Sequence, residues 1–395
     1  MAMALQLSTF VTQYLASGTH TNPTKSTNAL RMGILSTAMI NPAALIHPAE
    51  THGGVVIHGV ASRDLSSAES YAKKYSIPHA YGSYSALLSD PAIEAVYISL
   101  PNGMHCEWAV RALEAGKHVL LEKPVAANAD EARVVFETAR RCERVCVEAF
   151  HWRFHPAAHV VDAIVASGRY GEVRKTSARM TTPSGSLPMS DIRWNYELAG
   201  GALMDMTYVL SSTRYFLHQP QLDEVLEATS VPSPEDSRVD QSTTATLRFS
   251  SSLSSTPITS TIYADMARSN SFWVIPRLWE LPSISIECEE ATIYFYNFMM
   301  PHLYHYIAIT DKAGNTSYQK HYCFGPKWGV RGESWWSTYR YQLEAFVDKV
   351  QGREPVCWVD PEDSVQQMEA IDKVYEATGL GKRKGTQELV GSGEE

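Results

Sequence analysis

Ser62 and Arg63 follow a β-branched run, Val55 to Ala61, and set a hydroxyl beside a guanidinium. Such a pair offers bidentate donors to a phosphate monoester, the 2′-phosphate by which NADP differs from NAD. An acid at the same place would instead bond the ribose 2′-hydroxyl of NAD. Asp64 comes next, but it stands close to a helix start, where a carboxylate serves the helix dipole without touching ligand. NADP is therefore the expected cofactor, with NAD as the alternative. Earlier in the chain, Gly33-Ile34-Leu35-Ser36-Thr37-Ala38-Met39-Ile40-Asn41 forms the turn that should approach the pyrophosphate. Set against Gly-x-Gly-x-x-Gly, its glycines are replaced by Ser36, Ala38 and Asn41. The first two replacements are still small, as the approach of backbone N–H groups to a phosphate requires. Taken alone, this degenerate turn fits an ordinary buried strand-to-helix connection equally well. Ser36, Thr37, Ala38 and Ile40, with Ser62 and Arg63, are the expected cofactor contacts of this half.

Farther on come Leu100-Pro101-Asn102-Gly103-Met104-His105, then Ala112 to Val119, then Leu121-Glu122-Lys123-Pro124. Glu148 to Pro156, Asp191-Ile192-Arg193-Trp194 leading to Gly200-Gly201-Ala202-Leu203-Met204-Asp205, and Tyr375 to Leu380 follow. Segment by segment, over about 31–380, this set resembles the Gfo/Idh/MocA oxidoreductase family. It is most similar to the branch that holds dimeric dihydrodiol dehydrogenase and the NADP-dependent D-xylose dehydrogenases. An isolated Glu-Lys-Pro usually means a solvated turn. Here the preceding strand and the Pro-Asn-x-x-His before it give the lysine chemical meaning.

The resemblance implies a Rossmann domain and a second domain on a large open sheet, often used for dimerisation. It implies that Lys123 lies between nicotinamide and substrate, with Glu122 and Pro124 fixing its strand-end geometry. Leu100, Pro101, Asn102, His105 and Glu122 would be cofactor neighbours, Asn102 and His105 on the nicotinamide side. In the related enzymes the aspartate after the glycine run is followed four residues later by a histidine or tyrosine that exchanges the substrate hydroxyl proton. This chain departs from that spacing: Tyr208 stands three residues after Asp205, and Val209 holds the fourth place. Both spacings keep the pair on one helix face, so Tyr208 can substitute; a core-facing Tyr208 with a capping Asp205 is the alternative. A free phenol, with pKa near ~10, ionises too little at neutral pH. The Lys123 ammonium is expected to favour the phenolate.

His151, Trp152, Arg153 and His155 come just after the fifth long strand, on the carboxyl edge where open α/β sheets bind ligands. The two histidines and the arginine are candidates for substrate hydroxyls or a carboxylate, and Trp152 for an apolar face. Arg193 and Trp194 are further candidates for the substrate side. Cys146 and Glu148 lie near the histidines, but the set has no familiar ligand spacing, so no metal is expected.

The elements that must position these residues read as an α/β Rossmann domain plus an α+β domain with a large, mostly antiparallel open sheet. Strand-like runs at 31–35, 55–61, 95–100, 118–121 and 145–149 alternate with helix-like stretches, the mark of βαβ units. Ser66 and Glu69 have capping-box spacing for a helix reaching Tyr75, and Asn128 and Glu131 a similar spacing for one reaching about Arg141. After a helix around 156–167, alternating runs at 172–181, 226–232, 241–250, 256–264, 283–287, 291–298 and 304–310 follow with few helices between, as in an antiparallel sheet. Trp273, Trp279, Tyr294, Tyr296 and Phe298 fit sheet packing. Helices around 336–351 and 361–378 close the chain. The expected organisation is an N-terminal arm over 1–30, a dinucleotide domain over 31–150, a substrate and dimerisation domain over 151–380 and a flexible tail over 381–395. The helix at 361–378 is a candidate to pack back on the first domain.

With 395 residues, 44% apolar and 19% charged, the chain exceeds what one core usually holds. A net charge of −9 disfavours nucleic acid as a partner. Cys106, Cys142, Cys146, Cys288, Cys323 and Cys357 show no paired spacing, which fits thiols in a reducing compartment. Leu7, Phe10, Val11, Tyr14 and Leu15 form a short stripe without a basic leader, so a cytoplasmic protein is expected, with no membrane partner. The function expected is NADP-dependent oxidoreduction at a hydroxyl or carbonyl carbon of a sugar, cyclic diol or related small molecule, in a homodimer. A tailoring enzyme acting on a larger apolar substrate and a non-catalytic NADP sensor are the alternatives.

Overall fold

The structure, a computed structural model, describes residues 22–218, 221–272 and 274–385. The N-terminal stripe, Trp273 and residues 386–395 lie outside them. Six strands, β1 (Leu30–Leu35), β2 (Val55–Ala61), β3 (His79–Tyr81), β4 (Ala95–Ile98), β5 (His118–Leu121) and β6 (Cys146–Glu148), form a parallel sheet in the order β3-β2-β1-β4-β5-β6. Helices cover both faces, which is why β4 is buried at every residue and its sequence is unbroken Ala-Val-Tyr-Ile. The strand order reverses between β1 and β4, where doubly wound sheets open a crevice at their carboxyl ends.

Two helix starts separate two kinds of spacing. Asn128 caps Ala129–Arg141 as its spacing indicates: its Oδ1 accepts from Glu131 N at 3.0 Å, and Glu131 Oε2 accepts from Ala127 N at 3.1 Å. The Ser66/Glu69 box does not form. Helix Leu65–Tyr75 begins one residue earlier, and Asp64 caps it, accepting from Ser67 N at 2.9 Å and from the Ser66 and Ser67 hydroxyls at 2.7 Å. A carboxylate at the cap outcompetes a hydroxyl one residue later, because it gathers all three donors. Those donors hold the Asp64 carboxyl down at about 2.

The second sheet comprises β7 (Val173–Pro183), β8 (Leu222–Pro232), β9 (Asp240–Phe249), β10 (Ile258–Arg268), β11 (Ser283–Cys288), β12 (Ala291–Tyr296), β13 (Tyr306–Asp311) and β14 (Thr316–Gln319). Its order is β14-β13-β12-β11-β7-β10-β9-β8, antiparallel throughout except for the β7/β10 pair. Ala291, Ile293 and Phe295 of β12 are buried while Thr292, Tyr294 and Tyr296 are half-buried, the alternation of a sheet packed on one face. The inner face meets helices Ala202–Asp205 and Tyr208–Phe216. Of the aromatics read as sheet packing, Phe298 is in the core, Tyr294 and Tyr296 line the outer face, and Trp279 is 51% exposed.

Helix Pro361–Ala377 lies against Ala129–Arg141: Ala129 N donates to Asp372 Oδ2 at 3.0 Å, and Arg133 pairs with Glu369. Residues 381–385 are not free. Arg383 is wholly buried, pairs with Asp240 at 2.7 Å and donates to Gly200 O at 2.8 Å. A guanidinium with these partners fixes the chain where composition alone suggests a loose tail.

Candidate active site

At the crevice, Ser36 ends β1 with φ +127, a backbone region that glycine adopts far more readily than serine. The strain is held by side chains in place of the missing glycines. Ser36 Oγ donates to Ser99 Oγ at 2.8 Å, Ser99 Oγ to Asn41 Oδ1 at 2.6 Å, and Asn41 Nδ2 to Ser36 O at 3.0 Å. This loop joins the ends of β1 and β4 across the point where strand order reverses. The amides of Thr37, Met39 and Ile40 have no hydrogen-bond partner among the described residues. They are therefore left for an anion, while Ser36 itself is spent on holding the turn. At the end of β2, Arg63 is exposed and makes no ion pair among the described residues, whereas Asp64 is committed to its helix. Free amides at the turn and an unpaired guanidinium beside Ser62 form a donor set that fits a dinucleotide carrying an extra phosphate.

Lys123 lies two residues beyond the end of β5. Its Nζ donates to Asp205 O at 2.8 Å, lies 3.4 Å from Asp205 Oδ1 and sits 4.9 Å from the Tyr208 ring centroid. Glu122 turns inward, accepting from Tyr97 OH at 2.6 Å and from Lys123 N at 3.2 Å. Glu148 Oε1 accepts from Val125 N at 2.9 Å, so both sides of the lysine are pinned. Asp205 closes helix Ala202–Asp205, and Tyr208 opens helix Tyr208–Phe216. The two thus meet Lys123 from either side of a helix break. Arg193 Nε reaches Asp205 Oδ1 at 2.9 Å, and its NH1 reaches Asp191 Oδ1 at 3.1 Å. Burial alone would raise the Asp205 carboxyl, but Lys123 and Arg193 hold it below the usual range. Two cations thus face two carboxylates, and Arg193 is committed to them.

Tyr208 is 4% exposed, and its hydroxyl lies 3.0 Å from His151 Nε2. Burial pushes this phenol well above 10, and Tyr339, Glu122 and Asp205 push the same way against Arg193. The expectation that Lys123 favours the phenolate is therefore overturned: its ammonium is engaged by Asp205, and two acids surround the ring. His151 is held neutral by burial, with the charges of His302 and Lys123 acting in the same direction.

Several candidates fall elsewhere. Trp152 is wholly buried against Tyr215, Phe216 and Phe298. Arg153 forms a buried pair with Asp363, which Arg214 also contacts at 2.7 Å. His155 caps helix Pro156–Ala166 through Ala157 N and is wholly buried. The physical reason is position: β6 is the far edge of the sheet, so the chain leaving it dives beneath the second domain instead of lining the β1/β4 crevice. Trp194 is 7% exposed. His105 is also interior, its two ring nitrogens 2.8 Å from Leu100 O and Pro124 O, and so braces the Lys123–Pro124 turn from beneath. Leu100 is buried and Pro101 half-buried on the same loop. Asn102 donates to Ala199 O at 3.2 Å and ties that loop to the second domain.

Sequence reasoning missed the support of the glycine pair. A Cβ on Gly201, whose φ is +138, would come 2.1 Å from Asp240 Oδ1, and one on Gly200 2.4 Å from Arg193 O. Asp240 also caps the helix bearing Asp205, accepting from Leu203 N at 2.9 Å, and takes Tyr375 OH at 2.9 Å. Asp240, Tyr375 and Arg383 are far apart in the chain; the glycine pair is the one local signal that something packs closely there. Among the described residues, no group of three or more His, Cys, Asp or Glu side chains is disposed to hold a metal.

Comparison with known proteins matches residues 30–150 to the Gfo/Idh/MocA oxidoreductase family, NAD-binding Rossmann fold, and residues 159–293 to the GFO/IDH/MocA C-terminal domain. The chain is 34% identical to a D-xylose 1-dehydrogenase (NADP(+)) of Haloferax volcanii, over 89% of this chain and 98% of that one. It is 33% identical to a trans-1,2-dihydrobenzene-1,2-diol dehydrogenase of Danio rerio, over 56% of this chain and 65% of that one. A 3-ketoreductase of Actinomadura kijaniata, solved with NADP and TDP-benzene, has the same fold, with TM-score 0.72, 24% identity and 89% and 98% coverage.

Proposed function

This chain belongs to the Gfo/Idh/MocA oxidoreductase family and uses a nicotinamide dinucleotide, and we propose that it is an NADP-dependent dehydrogenase or reductase of a neutral polyhydroxylated substrate, a sugar or cyclic diol. The observation that carries this reading is Lys123, held by Asp205 and lying over Tyr208 at the crevice of a doubly wound sheet. When bound, the cofactor supplies or accepts the hydride. The free amides of Thr37, Met39 and Ile40, with Ala38 between them, would line its pyrophosphate, and Ser62 with Arg63 its 2′-phosphate. Lys123 orients the substrate oxygen and balances charge that develops on it, and Tyr208 exchanges the hydroxyl proton. Asp205 and Arg193 position Lys123. Because Lys123 and Arg193 already have Asp205 and Asp191 as partners, neither cation is left for an acidic substrate, and a neutral one suits the cluster better.

A homodimer through the second sheet is supported by its outer face, where Tyr296 stacks on Tyr306 at 4.9 Å and Tyr318 is 70% exposed. Beside it, Phe272, Val274, Leu278 and Trp279 are exposed. A cytoplasmic location is supported by six free thiols. The test is turnover: NADP⁺ with a panel of aldoses and trans-dihydrodiols, and NADPH with ketones, followed by nicotinamide absorbance. Turnover of at least one neutral polyol or its ketone is expected. Cofactor binding without turnover of any candidate would instead make the chain a sensor.

A further inference from the structure

Behind Tyr208 the interior holds a line of polar groups that the reaction has not used. His151 Nε2 lies 3.0 Å from Tyr208 OH, His151 Nδ1 lies 2.8 Å from Thr338 Oγ1, and Thr338 Oγ1 lies 3.3 Å from His302 Nδ1. Tyr208, His151 and Thr338 are 4%, 1% and 0% exposed, while His302 is half-buried and so is the first member open to water. His151 is clamped for the task, its ring stacked on Tyr339 at 4.0 Å, and Thr338 stands at the first turn of helix Thr338–Val350. Thr338 N donates to His302 Nδ1 at 3.4 Å, which makes that nitrogen an acceptor; with His151 protonated at Nδ1, the donors run from Tyr208 O–H to His151 Nε2, from His151 Nδ1–H to Thr338 Oγ1, and from Thr338 O–H to His302 Nδ1.

We infer that His151, Thr338 and His302 form a proton relay that connects the Tyr208 hydroxyl to solvent at His302. The inference rests on the reading of Tyr208 as the group that exchanges the substrate proton. In the oxidative direction the substrate O–H bond breaks and its proton goes to the Tyr208 oxygen, as Tyr208 passes its own to His151 Nε2. His151 gives its Nδ1 proton to Thr338, Thr338 gives its proton to His302 Nδ1, and His302 releases its Nε2 proton to water. One proton enters and one leaves, while the two electrons of the substrate C–H bond go to the oxidised nicotinamide of the proposed reaction. Each histidine changes tautomer without becoming a cation, which is how a neutral imidazole shuttles protons. Burial keeps His151 neutral, and Tyr208 needs no standing phenolate. The other titratable groups facing the line are Tyr339 beside His151; Lys123, Glu122, Asp205, Arg193 and Tyr97 around Tyr208; and His155 and His305 near His302.

The test compares T338V, T338S and Y208F with the native enzyme, using NADP⁺ and whichever polyol the panel identifies. T338V keeps shape and removes the hydroxyl, so kcat should fall about tenfold or more with KM for NADP⁺ unchanged, and the pH profile and solvent deuterium isotope effect on kcat should change. T338S should restore all three. Native kcat, pH profile and isotope effect in T338V, with Y208F inactive, would overturn the relay and leave Tyr208 as the exchanger. Full activity in Y208F would instead defeat the reading on which the relay rests. Imidazole nitrogen NMR of the native protein gives a second check that needs no variant: His151 should be protonated at Nδ1 and His302 at Nε2. The opposite tautomers would contradict the relay.

Discussion

Lys123 Nζ stands 4.9 Å from the centre of the Tyr208 ring while donating to the main-chain oxygen of Asp205 at 2.8 Å. One ammonium thus joins the end of a Rossmann strand to a helix break in the other domain. The pairing survives a spacing of three residues between Asp205 and Tyr208, because Asp205 ends one helix, Met206 and Thr207 form the break, and Tyr208 begins the next.

Arg63 should decide cofactor choice. Replacing it with alanine removes charge-assisted bonds worth about 1.5–3 kcal/mol, so preference for NADP over NAD should fall about 10- to 100-fold. Titration of both cofactors by nicotinamide fluorescence checks this. Asp64→Ala should leave the ratio unchanged and lower the thermal midpoint slightly, since Asp64 caps a helix.

Gly201→Ala should be severely destabilising. The new methyl would meet Asp240 Oδ1 at 2.1 Å, at a φ of +138, which costs about 3 kcal/mol or more. Calorimetry should show a clear drop in the unfolding midpoint, and activity should fall with it because the same helix carries Asp205.

Acid should unfold the protein early. Burial lowers His159 and His305 to about 3, while the unfolded chain protonates them near 6.5. Below 6.5 the unfolded state therefore binds more protons, and stability falls as pH falls until the folded pKa values are reached. At pH 5 the loss is about 2 kcal/mol per histidine. Several such losses rival a whole domain's stability of about 5–15 kcal/mol. Urea midpoints measured from pH 7 to pH 5 should drop steeply, and His305→Gln should flatten the curve; an unchanged midpoint at pH 5 would contradict the burial argument.

The parallel sheet, the large antiparallel sheet and the Lys123 segment were legible because each leaves a local trace: unbroken apolar runs, alternation, an ordered series of motifs. Strands as short as β3 and β14 leave no period to read. The fate of Trp152, Arg153 and His155 was not legible either, since the residues just after a strand say nothing of whether the chain turns into the crevice or under the neighbouring domain. Asp363, Phe298 and Tyr341, which pack against Arg153, Trp152 and His155, lie far away in sequence. The phenol of Tyr208 was misjudged for a related reason. Its environment is set by Glu122, Asp205 and Tyr339, which only the fold assembles around it.

The central claim is that Lys123 and Tyr208 act on a cofactor-bound substrate, and it is tested most directly by measuring turnover and NADPH binding together in native protein, Lys123→Met and Tyr208→Phe. The account predicts that both variants bind NADPH like the native protein and lose about a hundredfold or more in kcat. Native turnover in either variant, with cofactor still bound, would contradict it.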